Sequence, residues 1–69
     1  MAHQSEVLRQ LKQRREELSI TQEHLADIAG VGLRTVKEIE VGKGNPTLDT
    51  LLKVADVLGM QLKLEIKKL

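Results

Sequence analysis

The chain lacks cysteine and aromatic residues altogether, and its 69 residues include a single proline. Without cysteine it cannot form a disulfide or a thiolate metal site. Without aromatic rings it has no platform on which single-stranded bases could stack, so its core must use aliphatic side chains and methionine. Its apolar runs fall far short of the roughly 20 residues that a membrane-spanning helix needs. The start, MAHQSE, has no apolar signal region, and a cytoplasmic location is expected.

An excess of charge of either sign is also absent. The 11 basic and 10 acidic residues give a formal net charge of +1, which is weak for a protein that binds nucleic acid. The distribution of the charges is more informative than their sum. Basic residues form one cluster at Arg34, Lys37 and Lys43 and another at Arg9, Lys12, Arg14 and Arg15. Because a core of this size is marginal, we expect the domain to rely on a partner subunit.

Hydrophobic spacing with a period of 3.6 residues predicts four helices. Ser5, Thr21 and Thr47 are suited to cap the first, second and fourth helices, which end near residues 18, 29 and 58. The third helix is predicted from about 32 to 41, with Glu40 pointing inward. Gly30 follows the second helix, where the left-handed conformation favours glycine. The predicted buried residues are Val7, Leu8, Leu11, Leu18, Leu25, Ile28, Ala29, Val36, Ile39, Leu48, Leu51, Leu52, Ala55 and Leu58.

The most informative segment is TQEHLADIAGVGLRTVKEIE, from Thr21 to Glu40. It reads as two short amphipathic helices joined by a tight turn that contains glycine. That arrangement is typical of a helix-turn-helix, in which the second helix enters the major groove of DNA. The spacing places Leu33, Arg34, Lys37 and Glu38 on the exposed face of the second of these helices. The alternative that these charges only keep the surface solvated remains open.

The period of the hydrophobic pattern changes after Gly59. Met60, Leu62, Leu64 and Ile66 alternate with polar residues, which predicts a β-strand over 60–66 with one buried face. A strand needs a neighbour for its hydrogen bonds, and no second strand is predicted. We therefore expect the strands of two copies to pair across a two-fold axis. Packing of this segment on its own helices, or docking of a toxin protein along its edge, are the alternatives.

The residues at the joints of these elements resemble the Cro and C1 repressor-like (XRE) helix-turn-helix family over about residues 8–60. The resemblance is carried by Arg15, Thr21, Gln22, Glu23, Leu25, Ala26, Gly30, Val36, Ile39, Glu40, Gly42, Lys43, Asn45, Pro46, Leu51, Leu58 and Gly59. It implies a mainly α, four- to five-helix phage-repressor-like domain covering residues 1–69, helical over 5–58. The strand at 60–66 is similar to that of the HipB-type antitoxins, a subgroup that dimerises through such a strand.

The same resemblance implies roles for individual residues. Gln22 would contact a phosphate and brace the recognition helix. Arg15 and Glu40 would form a structural ion pair between the first and third helices. The positions that would face DNA are Leu33, Arg34, Lys37 and Glu38 for base edges and Thr35 and Lys43 for phosphates. The sequence departs from the family at His24, Gly32 and Leu33, so no operator sequence can be transferred from a relative.

The chemistry of the predicted reading residues fits base recognition. Arg34 can donate two hydrogen bonds to guanine O6 and N7, a contact that contributes roughly 1–3 kcal/mol of discrimination. Lys37, one turn further on, can reach a guanine or a phosphate. Glu38 can accept a hydrogen bond from cytosine N4, and Leu33 can contact a thymine methyl group.

Other sites are not predicted. His3 and His24 have no cluster of ligands around them, so no metal is expected. Gly30 and Gly32 resemble the start of a dinucleotide-binding motif, but a helix precedes them and Thr35 stands where the third glycine is needed. Lys43 is not part of a P-loop, because Gly44 follows it in place of Ser or Thr. No serine has a His–acid pair to activate it.

These observations predict a dimeric, sequence-specific DNA-binding regulator that represses transcription by covering a pseudo-palindromic operator, with no catalytic role and no cofactor. The alternative is an antitoxin that binds a toxin protein and represses its own operon, a function compatible with the first. A third hypothesis is an interaction domain that has lost DNA binding, which only the low net charge supports.

Overall fold

Four helices make up the regular structure of the computed structural model, which describes residues 4–67. They are α1 (Gln4–Glu17), α2 (Gln22–Ala29), α3 (Leu33–Glu40) and α4 (Leu48–Val57). The mainly α prediction is confirmed, and a fifth helix is not found among the described residues. None of these helices has the length and apolar character to cross a membrane. Residues 1–3 of the MAHQSE start, including His3, lie outside the described residues.

The N-termini of α2 and α4 are capped as the sequence predicts. The Thr21 hydroxyl accepts a hydrogen bond from the His24 backbone N–H at 3.0 Å. The Thr47 hydroxyl accepts one from the backbone N–H of Thr50 at 3.1 Å. Such caps contribute about 1 kcal/mol each because they satisfy amide groups that have no partner within the helix. The prediction that Ser5 caps α1 is wrong, because α1 already includes Gln4.

The turn between α2 and α3 is set by the way α2 ends. Gly30 has a φ of +70°, a left-handed conformation that side chains with a Cβ adopt only at a cost. It allows the Val31 N–H to bond the Ala26 carbonyl at 3.0 Å, and its own N–H bonds the Asp27 carbonyl at 3.3 Å. This pair of bonds reverses the chain direction. Only three residues therefore separate the end of α2 from the start of α3.

The core is a single aliphatic cluster drawn from all four helices and the residue after α4. Its buried members are Leu8, Leu11, Leu25, Ala26, Ala29, Val36, Ile39, Val54, Ala55 and Leu58. Leu51 and Met60 pack against it while staying partly exposed. Most of the predicted core is confirmed, and the third helix in particular buries both residues that its spacing selects, Val36 and Ile39.

Four predicted core residues are wrong. Leu18, Ile28, Leu48 and Leu52 are 40%, 56%, 64% and 46% exposed. In helices of eight to ten residues, the apolar side chains can be assigned to more than one possible buried face. Tertiary packing then decides which face is buried. Helix α2 buries Ala26 in place of Ile28, and α4 buries Val54, which the sequence analysis did not select.

The segment that follows α4 leaves the core within a few residues. Met60 packs against the core and Leu62 is 38% exposed, whereas Leu64 and Ile66 are fully exposed. Beyond Leu62, the idea that this segment packs on the helices of its own chain is wrong. No strand is present among the described residues of this single chain. Since a strand requires a neighbour, the predicted pairing across a dimer stays a prediction.

Candidate nucleic-acid interface

Helix α3 is held firmly on one side and open to solvent on the other. Val36 and Ile39 are 1% and 2% exposed and anchor the helix in the core. Arg34 and Lys37 project from the opposite side and are exposed. This division follows from the helical period, because residues three and four positions apart share a face. The outcome is a rigid helix that presents two cations outward.

The other residues predicted to face base edges are less exposed than these two cations. Leu33 is partly buried and packs against the core cluster, so only part of its side chain is available at the surface. Thr35 is also partly buried. The expectation that Leu33 lies on the fully exposed face is therefore wrong. As the first residue of α3, it packs where the turn after α2 brings the two helices together.

Arg34 and Glu38 contact each other on the outer face of α3. The Arg34 Nε donates to Glu38 Oε1 at 3.0 Å, one helical turn away. The Arg34 side chain is 92% exposed and that of Glu38 is 46% exposed. The other carboxylate oxygen of Glu38 lies over Gly44, where an added Cβ would come within 3.3 Å of it. Two residues predicted to read separate bases are thus joined to each other in the free chain.

Lys43 lies where the chain leaves α3. Its backbone N–H donates to the Glu38 carbonyl at 3.0 Å, which fixes the loop against the end of the helix. The Lys43 side chain borders a hollow between α3 and the start of α4. That hollow is also lined by Thr35, Glu38, Asn45, Thr47 and Thr50. Thr47 is predicted only as a helix cap, and Thr50 is not among the predicted site residues. The cap itself brings the two hydroxyls together, because the Thr47 hydroxyl bonds both the backbone N–H and the hydroxyl of Thr50.

Gln22 links the start of α2 to the end of α3. Its side-chain Nε2 donates to Glu40 Oε1 at 2.9 Å. It also borders a second hollow, together with Leu33 and Lys37, on the side of the helix pair where Lys37 is exposed. The amide is therefore in use as a brace, and the residue lies next to one of the two exposed cations of α3.

Arg15 and Glu40 form the best-satisfied charged contact in the described chain. The Arg15 Nε and Nη2 donate to the two carboxylate oxygens of Glu40 at 2.6 and 2.9 Å, and Nη1 donates to the Ile20 carbonyl at 2.7 Å. The two side chains are only 13% and 3% exposed. The contact joins α1, the turn after it and α3 at one point, and so fixes the orientation of α3.

The protonation of this pair reflects both burial and hydrogen bonding. Burial by itself raises the pKa of Glu40, but the hydrogen bonds from Arg15 and Gln22 outweigh it and hold the pKa below its ordinary value of about 4.5. The hydrogen bond to Glu40 raises the pKa of Arg15, although burial opposes that shift. Both groups therefore stay charged at neutral pH, as a structural ion pair requires.

Part of the basic charge on α1 is also structural. The Arg14 Nε donates to the Leu58 carbonyl at 3.0 Å, and Arg15 is committed to Glu40. Arg15 is therefore committed to the fold through all three of its nitrogens, whereas Arg14 is anchored to the residue after α4 through Nε and its side chain stays 40% exposed. The cations that remain around the outer face of α3 are Arg34, Lys37 and Lys43. Among residues 4–67, no group of His, Asp or Glu side chains is arranged to hold a metal ion.

Comparisons with known proteins agree with this geometry. The family model described as "Helix-turn-helix" matches residues 11–64. The chain is 36% identical over 52 residues to the cryptic phage CTXphi transcriptional repressor RstR of Vibrio cholerae, across 75% of this chain and 46% of that protein. It is 36% identical over 58 residues to an HTH-type transcriptional regulator of Haemophilus influenzae, across 84% of this chain.

A third relative is the HTH-type transcriptional regulator y4mF of Sinorhizobium fredii, with 38% identity over 48 residues and 70% of this chain. The matches span 46%, 59% and 63% of the lengths of these three relatives. The similarity therefore concerns the region that contains the helix pair α2–α3.

Proposed function

The chain belongs to the helix-turn-helix family, and from that premise we propose that it is a sequence-specific DNA-binding regulator of transcription, acting as a dimeric repressor. The observation that carries the proposal is the outer face of α3, where Arg34 and Lys37 are exposed while Val36 and Ile39 anchor the helix. A helix presented in this way fits the major groove, whose width admits one helix with its side chains. Repression would be steric, through occupation of an operator in the bacterial nucleoid.

In this proposal the residues around α3 contact different parts of the DNA. Arg34 and Lys37 contact base edges, with Leu33 against a thymine methyl group and Glu38 near the same bases. Thr35 and Lys43 contact phosphates from the flank of the helix, which fixes its register without reading sequence. Gln22 contacts a phosphate or supports α3 through Glu40. Thr47 and Thr50 border the same flank; the Thr47 hydroxyl donates to Thr50 Oγ1 at 3.0 Å, and the Thr50 hydroxyl adds a donor for the DNA backbone.

Dimer formation is proposed from the uncovered apolar side chains after α4. Leu64 and Ile66 are fully exposed in the single chain, and Leu62 is partly so. A two-fold dimer would cover them and would place two copies of α3 about 34 Å apart, one turn of DNA. The alternative function is that of an antitoxin. The same exposed residues favour it, since a toxin protein could cover them in place of a second copy.

Selection of binding sites from a random pool of duplex DNA tests the proposal. We expect enrichment of two inverted half-sites whose centres lie about one helical turn apart. The affinity for the enriched duplex should fall steeply between low and physiological salt, because phosphate contacts release counterions. A pool that stays random after repeated selection would contradict the proposed function. Mass spectrometry of the protein purified from its own host would separate the two functions, since only the antitoxin requires a stoichiometric protein partner.

A further inference from the structure

The segment after α4 carries an interaction surface whose partner can be defined from its charges. Leu62, Leu64 and Ile66 alternate with Lys63, Glu65 and Lys67. Met60 packs on the core, and Leu62 borders a hollow shared with Leu52 of α4. The period of two places Leu64 and Ile66 on the same side of the chain as Leu62. In the single chain Leu62 is the last of these side chains to approach the helices, while Leu64 and Ile66 are fully exposed and form an uncovered apolar side.

We propose that this segment pairs with the same segment of a second copy, antiparallel and centred on Leu64. This inference rests on the proposed dimer and specifies its register. In this register Leu64 meets the second copy's Leu64, and Leu62 lies opposite Ile66. Lys63 then lies opposite Glu65 at two symmetry-related places, so that both cross-strand charge pairs are attractive.

Charge excludes the neighbouring registers. The apolar side chains of both strands lie on one face only if the two-fold axis passes through a residue. The neighbouring antiparallel registers are therefore centred on Lys63 or on Glu65. Centring on Lys63 would place two lysines opposite each other at the axis. Centring on Glu65 would oppose two glutamates and would also pair Lys63 with Lys67 twice. A parallel arrangement in register would set like charges side by side along the whole ribbon. Of these arrangements, only the antiparallel register centred on Leu64 has opposite charges facing each other and no like-charge pair among 61–67.

The exposed leucines of α4 gain a role in this arrangement. Leu52 is 46% exposed and lies beside Leu62. Because Ile66 of the second copy lies opposite Leu62, its side chain would reach the same hollow and cover Leu52. The two-stranded ribbon would thus pack its apolar side on α4 of both copies. Such packing supplies the support that an isolated two-stranded ribbon lacks in water.

Charge reversal at two exposed positions tests the register without disturbing the core. Lys63→Glu should weaken the dimer about tenfold, because it creates two facing glutamate pairs, and Glu65→Lys should do the same with lysines. The double variant Lys63→Glu with Glu65→Lys should restore the wild-type dissociation constant, measured by sedimentation equilibrium. Arg9→Glu, at an exposed position of α1 outside the hollow beside Leu62, serves as the matched control for the same change of net charge.

The outcomes separate the registers. If Lys63→Glu strengthened the dimer, the pairing would be centred on Glu65, since the new glutamate would face Lys67. If both single variants behaved like the Arg9→Glu control, or if the wild type were a monomer at micromolar concentration, the pairing would be refuted. A monomer that still selects a single half-site from random duplexes would leave the proposed DNA binding intact, so the two failures are distinguishable.

A second inference comes from an independent contact, the bond between Arg34 and Glu38. We infer that Glu38 is a positioning residue that orients Arg34 and does not itself read a base. The Arg34 Nε donates to Glu38 Oε1 at 3.0 Å, and Glu38 is itself confined by the loop at Gly44. Because Nε is used in this bond, the two terminal nitrogens of the guanidinium group remain available. They are the donors that a guanine needs for its O6 and N7 acceptors.

Site selection from random duplexes with Arg34→Ala, Glu38→Ala and Glu38→Gln tests this second inference, which also rests on the proposed function. Arg34→Ala should remove the preference for one guanine in each half-site. Glu38→Ala should reduce the preference for the same guanine about tenfold, and Glu38→Gln should restore most of it, because its amide oxygen still accepts from Nε. In an Arg34→Ala background, Glu38→Ala should change no base preference.

A different pattern would overturn the inference. If Glu38→Ala kept the guanine and changed the preference for a cytosine elsewhere, Glu38 would read that base itself. If Glu38→Ala left every preference unchanged, the contact with Arg34 would have no role in recognition. If the wild type selected no motif, the proposed function would fail and this inference with it.

Discussion

Helix α3 takes part in two arginine–glutamate pairs that lie in opposite surroundings. Glu40 binds Arg15 of α1, and both side chains are almost fully buried. Glu38 binds Arg34 one turn earlier on α3, where the arginine is almost fully exposed. The buried pair has two bonds between the partners and further bonds to Ile20 and Gln22. The exposed pair has a single bond and leaves most guanidinium donors free.

The difference shows what burial demands of a charge. A buried ion must have all of its hydrogen bonds satisfied within the protein, because removing it from water costs several kcal/mol. Every nitrogen of the Arg15 guanidinium group and both carboxylate oxygens of Glu40 have a partner within the protein. An exposed pair contributes at most about 0.5 kcal/mol to stability, so the terminal nitrogens of Arg34 can bind a base without a cost to the fold. We therefore assign the first pair to the fold and the second to recognition.

The largest effect that separates the pairs is expected from Glu40→Ala. It would leave the Arg15 charge buried without its partner, and we expect a loss of about 3–5 kcal/mol in the free energy of unfolding. Glu38→Ala should cost less than about 1 kcal/mol. Urea unfolding followed by circular dichroism measures both values. Equal losses for the two variants would contradict the division between a structural and a recognition pair.

Conservative substitutions of the arginines should show a smaller version of the same contrast. Arg15→Lys keeps the charge but loses the two-bond fork to Glu40 and the bond to the Ile20 carbonyl. We expect it to cost about 2 kcal/mol of unfolding free energy, whereas Arg34→Lys should change it by less than about 0.5 kcal/mol. A stable Arg15→Lys protein, equal to the wild type in thermal unfolding, would show that the fork is not needed.

Low pH should reduce the contribution of the Arg15–Glu40 pair to the free energy of unfolding. A double variant that lacks the pair allows this loss to be measured. The pKa of Glu40 is lower in the folded chain than its ordinary value of about 4.5, so its contribution is fully present above that pH. The contribution is lost as the pH falls below about 4.5 and through the folded pKa. The Arg15→Met, Glu40→Leu double variant lacks it, and its free energy of unfolding should fall less between about pH 6 and pH 3. Identical pH dependence in both proteins would refute this role.

The smallest effect is expected from salt. At about 1 M ionic strength the screening length is only about 3 Å, so the coupling between the exposed Arg34 and Glu38 should vanish. The coupling between Arg15 and Glu40 should largely persist, because their side chains are only 13% and 3% exposed to the ions in solution. Double-mutant cycles on unfolding, at low and high salt, measure both couplings. A loss of both couplings in salt would mean that the inner pair is accessible to ions.

The sequence was sufficient for the parts of the structure that local chemistry decides. Thr21 and Thr47 act as caps and Gly30 ends α2, because these roles depend on the residue and its near neighbours alone. The burial of Val36 and Ile39 followed from the helical period. The contact between Arg15 and Glu40 was implied only by the family resemblance, since 25 residues separate the partners along the chain.

Other features could not be derived from the sequence, for physical reasons. The exposure of Ile28 and Leu52 depends on which of several possible faces of α2 and α4 the neighbouring helices cover. The contact between Arg34 and Glu38 competes with solvation and with other rotamers, so spacing permits it without requiring it. The partner of the segment around Leu64 is not part of the chain itself. Its identity has to come from the charges that a second copy would match.

The central claim is that the outer face of α3 reads DNA while its inner face only supports the fold. The most direct test compares the affinity of the wild type with that of the Arg34→Ala, Lys37→Ala double variant for the duplex obtained by selection. We expect the variant to bind about 100-fold more weakly in fluorescence anisotropy, with an unchanged midpoint of urea unfolding. Unchanged affinity for the duplex in the variant would show that α3 does not read the DNA.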